Sequence, residues 1–107
     1  MSALSQVMLY AGFRPVLEAL KQAMAAASFD GDSAHLARAL ELAEAGDGMC
    51  GEGADVANLV AARQIARECA EEIRAVGAPM KSTVSRSRRA LSALFVELEG
   101  RIGSARE

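Results

Sequence analysis

The chain has 107 residues, 51% of them hydrophobic, and a formal net charge of −2. That length gives one domain with a single modest core, and the acidic balance argues against a general affinity for polyanions. No apolar run reaches the length of a membrane-spanning helix, and the uncharged start from Met1 to Phe13 lacks the positive region of a secretory signal.

Much of the apolar content is alanine, with no Trp, one Tyr and three Phe. Helices should therefore form readily around a thin core, and domains of that kind gain stability from a second copy or a partner helix. Cys50 and Cys69 are too few and too far apart for a disulfide framework or a zinc knuckle, which fits a reducing cytoplasm.

The first helical stretch runs from Ser5 to Ala27, with Leu9, Phe13, Leu17, Leu20, Met24 and Ala27 in one phase. Pro15 lacks an N–H and clashes with the preceding turn. Because the phase persists across it, the pattern predicts one helix kinked near Pro15, with two shorter helices as the alternative. Phe29 to Ser33 reads as a turn in which Asp32 caps the second helix, Ser33 to Ala45. Leu36, Ala39, Leu40 and Ala43 face inward there, and Gly46 is placed to end the helix in a left-handed conformation. Residues 46–53 hold four glycines and are expected to form a flexible loop.

A third helix spans Ala54 to Val76, with Asp55 near its positive end. Leu59, Ala62, Ala66, Cys69, Ile73 and Val76 form a seam of small and medium residues suited to close helix approach. Gly77 stops it, Pro79 suits the first turn of the fourth helix, and Met80, Val84, Leu91, Leu94, Phe95, Leu98 and Ile102 share one side. The tail from Gly103 to Glu107 is expected to fray. The expected fold is all-α: a small antiparallel bundle of about four helices in one domain, with helices three and four forming a hairpin about Gly77-Ala78-Pro79.

Motifs of chemistry are thin. Residues 46–51 match G-x-G-x-x-G, but an Ala/Glu-rich helix rather than a strand precedes them, and Asp47 and Glu52 would repel a pyrophosphate. Asp30, Asp32 and Glu41 fit three positions of a calcium loop, yet His35 stands where the loop needs glycine. His35, the one histidine, reads as a surface residue beside Asp32. Cys50 has acidic neighbours that disfavour a thiolate, and Cys69 lies on the apolar seam. No metal, cofactor or enzymatic role is expected.

Charge is segregated. Residues 30–72 carry ten acids against Arg38, Arg63 and Arg67, whereas residues 73–107 carry seven basic groups against Glu97, Glu99 and Glu107. Lys81, Arg86, Arg88 and Arg89, interleaved with Ser82, Ser85 and Ser87, are candidates for contact with DNA or RNA phosphates. The serines are also candidates for phosphorylation. The simpler reading is a solvated face that neutralises Glu68, Glu71 and Glu72 of the third helix.

Helix one presents Met8, Leu9, Tyr10, Phe13, Leu17, Leu20 and Met24 with no charge before Arg14. Met-rich faces adapt to varied apolar partners. The leading expectation is a non-enzymatic adaptor or chaperone that buries an apolar helix of another protein, or of a second copy, against Tyr10, Phe13, Leu17 and Met24. A small nucleic-acid-associated protein using Lys81, Arg86, Arg88 and Arg89 is the alternative.

Over residues 10–41 the layout resembles small flagellar and type III export chaperones. The matching residues are Tyr10, the run Met24-Ala25-Ala26-Ala27, Asp30 in the turn, and Leu36-Ala37-Arg38-Ala39-Leu40-Glu41. The resemblance implies a cytoplasmic helical chaperone that shields an apolar helix of a secreted or regulatory protein.

Overall fold

The apolar phases settle into four helices in the computed structural model, which describes residues 10–27 and 30–106. These are α1 (Arg14–Ala26), α2 (Asp30–Asp47), α3 (Val56–Arg74) and α4 (Ser85–Arg106), with a short 3-10 turn at Ala78–Met80 and no strand among the described residues. Each helix packs on its two neighbours in a closed ring: α1 on α2, α2 on α3, α3 on α4, and α4 back on α1. The cross-links show the sense of each pair. His35 meets Glu72 and Asp32 meets Gly77 between α2 and the end of α3, and Gly12 meets Glu97 while Gln22 meets Arg86 between α1 and α4. Sequence number rises along one helix as it falls along the other, so these neighbours are antiparallel.

The first helix differs from expectation. Gly12 adopts a left-handed φ of +60°, the chain turns there, and α1 begins at Arg14 with Pro15 in its first turn. A proline in the first turn loses no helical hydrogen bond, so it starts the helix rather than kinking it. Met8, Leu9 and Phe29 lie outside the described residues.

Gly46 also has another role than the one its position suggests. It stays helical and buried inside α2, which runs on to Asp47, and its φ is not positive. A Cβ built on it would lie 2.5 Å from Cζ of Phe13, whose ring is wholly buried against that bare stretch of backbone. Glycine is needed there for close approach.

Asp32 does not cap α2 either. The helix starts two residues earlier, and Oδ1 of Asp32 reaches across the bundle to accept the Gly77 N–H at 2.8 Å. Lys81 Nζ donates to the Arg74 carbonyl, also at 2.8 Å, so one side chain ties the chain just after α3 and another satisfies an orphan carbonyl at that helix's end. Pro79 sits in the 3-10 turn and not in α4 itself, and α4 continues to Arg106 without stopping at Ile102.

The remaining core follows the pattern. Leu59, Ala62, Ala66, Cys69, Ile73 and Val76 are all buried, as are Met80, Val84, Leu91, Leu94, Leu98 and Ile102, with Phe95 partly covered. Asp55 accepts the Asn58 N–H at 2.9 Å and caps α3. One polar residue stands among them: Ser87 is fully buried and its Oγ has no hydrogen-bond partner. It is thereby withdrawn from modification in the folded chain.

Two substitutions test this packing in urea melts. Gly46→Ala drives a methyl into the Phe13 ring and should cost about 1–3 kcal/mol, and Phe13→Leu in the same chain should couple with it, making the pair less damaging than the sum of the two. Simple additivity would mean that the ring and the helix backbone do not touch. Ser87→Ala removes an unpaired buried hydroxyl and should be neutral or stabilising by about 1 kcal/mol; a clear loss would mean that the hydroxyl has a partner.

Candidate functional site

The four residues singled out on the first helix have separate fates. Phe13 is fully buried and therefore forms part of the core instead of a docking face, because the glycine opposite it leaves room for the whole ring. Leu17 and Met24 are half-buried, packed on the core with one side open. Tyr10 is 45% exposed, and its ring lies under the Arg101 guanidinium at 4.2 Å. The apolar surface left on α1 is thus narrower than the sequence suggests: Leu17 and Met24, two turns apart, with Tyr10 ahead of them.

The basic segment does not neutralise α3. Glu72 of α3 is taken by α2: its Oε1 lies 2.8 Å from His35 Nδ1 and its Oε2 accepts from Arg38 Nε at 3.1 Å. Arg63 of α3 pairs with Glu99 at 2.8 Å, near the other end of α4. Lys81 is spent on the Arg74 carbonyl, and Arg86 donates to Gln22 Oε1 at 2.8 Å. Among the described residues none of Lys81, Arg86, Arg88 and Arg89 pairs with a carboxylate. The cause is register: α3 turns Glu72 toward α2, and its Arg74 is the side chain that shares a surface depression with Arg88.

His35 gains the orienting carboxylate that sequence alone cannot locate. Beside it, Gly31, Asp32, Ala75, Gly77, Pro79 and Met80 line a groove of about 490 Å³. The described residues bring no thiol or further histidine into that lining, and they include no group of three metal-ligating side chains. Asp30, Asp32 and Glu41, which fit part of a calcium template, lie along α2, with Asp32 already occupied by Gly77.

At the opposite end Arg101 organises the glycine-rich loop. Its side chain is 8% exposed and donates to the carbonyls of Cys50 and Gly51 at 2.7 and 2.8 Å. Glu97 Oε2 stands 3.7 Å from Arg101, and Glu97 Oε1 accepts the Gly12 N–H at 3.3 Å. One guanidinium thus links Tyr10, the loop and α4, a junction that no local pattern in the sequence announces. The G-x-G-x-x-G match dissolves in this geometry, since its first glycine is buried inside α2 under Phe13.

Both cysteines are free and buried. Burial pushes the Cys69 thiol up to about 12, with Glu68 and Glu72 adding to the effect, and its Sγ donates to the Ala39 carbonyl at 3.3 Å. Burial, followed by Asp47, raises Cys50 as well. Such thiols stay protonated at neutral pH and are poor nucleophiles. Neither family models nor curated proteins nor solved structures give a match to this chain.

The Cys69 environment has a readable pH signature. An unfolded thiol ionises near 9.0, whereas the folded one keeps its proton to about 12. Between those values the folded state binds more protons, so stability falls as pH rises through the window. Cys69→Ala removes this contribution, and the stability gap between variant and parent should narrow from neutral pH to alkaline pH in urea melts. A gap that stays constant would show that the thiol ionises equally in both states.

Proposed function

We propose that this chain is a non-enzymatic protein-binding module, an adaptor or chaperone, that buries an apolar helix of another protein against α1. The observation that carries the reading is the open edge of that helix: Leu17 and Met24 remain half-covered by the chain's own core, with Tyr10 exposed ahead of them. An apolar edge of this kind supplies burial energy to a partner, and a flexible methionine adapts its shape to one. The resemblance of residues 10–41 to export chaperones supports the chaperone form. Two free thiols held neutral support a reducing, cytoplasmic setting. No helix among the described residues is long and apolar enough to cross a membrane.

Tyr10→Ser combined with Met24→Ser tests the surface with little damage to the core. Affinity capture from cells with the parent chain should retain one stoichiometric protein through a high-salt wash. The double variant should bind that protein at least about tenfold more weakly (about 1.4 kcal/mol), while its melting curve stays close to that of the parent. Undiminished capture by the double variant would take α1 out of the interface.

A further inference from the structure

We propose that the N-terminal half of α4, with Arg74 of α3 beside it, is a second and separate binding surface, one that takes the phosphate backbone of a nucleic acid. Three shallow depressions run around this part of α4 as a continuous band. The first, about 290 Å³, lies against α1 and includes Ser85, Arg86 and Arg89. The second, about 300 Å³, is lined by Ser85, Arg88, Arg89 and Ser92. The third, about 270 Å³, adds Arg74 to Arg88 and Ser92. Adjacent depressions share two residues each, and no carboxylate lines any of them.

Four guanidinium groups are therefore held together on a chain whose net charge is −2. Their mutual repulsion is uncompensated by the ion pairs of the described residues, which lie at the α2–α3 seam and toward the far end of α4. Arg86 is steadied by Gln22, while Arg88 and Arg89 are exposed. An arriving polyanion relieves this repulsion and meets planar forks that bind phosphate in two-point fashion. The exposed Ser92 hydroxyl beside Arg88 donates to a remaining phosphate oxygen, whereas the Ser85 hydroxyl is already held by the Ser82 carbonyl at 2.8 Å.

The shape decides among anions. A single phosphate favours a closed socket, whereas this band is shallow and extended and suits a ligand with repeated charges. Phosphodiesters present several acceptor oxygens per charge, enough for guanidinium and hydroxyl together, which the carboxylates of an acidic peptide match less well. The band's one aromatic residue, Phe95, is half-buried, so no platform for base stacking is offered. Binding should accordingly be independent of sequence and should accept a duplex.

Fluorescence anisotropy with a labelled DNA duplex tests this surface on the intact chain. With about four phosphates neutralised, affinity should fall about a hundredfold between about 50 mM and about 200 mM salt. Arg88→Glu with Arg89→Glu should abolish binding. Arg14→Glu with Lys21→Glu makes the same charge change on exposed positions of α1 and should leave affinity within a few-fold of the parent. Circular dichroism confirms that both variants are folded. Absence of duplex binding by the parent at the lower salt would overturn the proposal. Equal loss in the two double variants would do so too, since it would reduce the effect to net charge. Polyglutamate competing as well as DNA at equal charge would replace the nucleic acid with an acidic protein.

Discussion

The bundle depends on a flat ring lying on bare helix backbone. Phe13 occupies the space that a side chain at position 46 would fill, and it is completely enclosed there. The contact fixes where the chain enters α1, and it fixes how closely the start of α1 approaches the end of α2. It also draws Gly12 into its left-handed turn, which presents the Gly12 N–H to Glu97 on α4. Among the described residues Phe13 is the one aromatic ring fully buried in the core, so it sets the spacing at this corner. Leu20, Leu36, Leu59, Ile73, Leu94 and Leu98 are other large side chains buried as fully, with Val16 and Val84 beside them.

What was legible in the sequence was periodic. The α3 seam from Leu59 to Val76 and the α4 stripe from Met80 to Ile102 are buried as their spacing requires, because a helix repeats its faces and its neighbours cover one of them. The contacts that close the molecule are not periodic. Asp32 has the composition of a helix cap, yet it bonds to Gly77, 45 residues away. Gly46 looks like a helix stop and serves as a seat for a ring. Pro15 looks like a kink and starts a helix, since the chain turns at Gly12 and the helix begins at Arg14. For Asp32 and Gly46 the local preference is not expressed, and a partner distant in sequence gives each residue its role.

The candidate surfaces divide in the same way. Charge segregation is visible in the residues, but whether opposite charges meet is a matter of helix phase. Glu72 points to α2, where His35 and Arg38 share its two oxygens, and Arg88 and Arg89 of α4 are left to solvent. The open apolar face of the first helix is narrower than its helical wheel implies for a related reason. A wheel shows which residues lie together and says nothing of how much of that arc its neighbours cover. Phe13 falls to the core, while Leu17 and Met24 remain at its edge.

The ring of helices carries a consequence for what α1 covers. The pairs α2–α3 and α3–α4 are hairpins of neighbouring segments, but α1 meets α4 through Gly12–Glu97 and Gln22–Arg86, separated by 85 and 64 residues. Loop-closure entropy grows slowly, by about 0.6 kcal/mol per doubling of length, and α1, with 13 residues, is the shortest of the four α-helices described. Its contacts with α2 and α4 cover the apolar sides of both. A chain in which α1 is displaced would present an open apolar trough between α2 and α4, with Gly46 bare at one end. The other three helices are in that sense a receptor whose ligand is the chain's own α1.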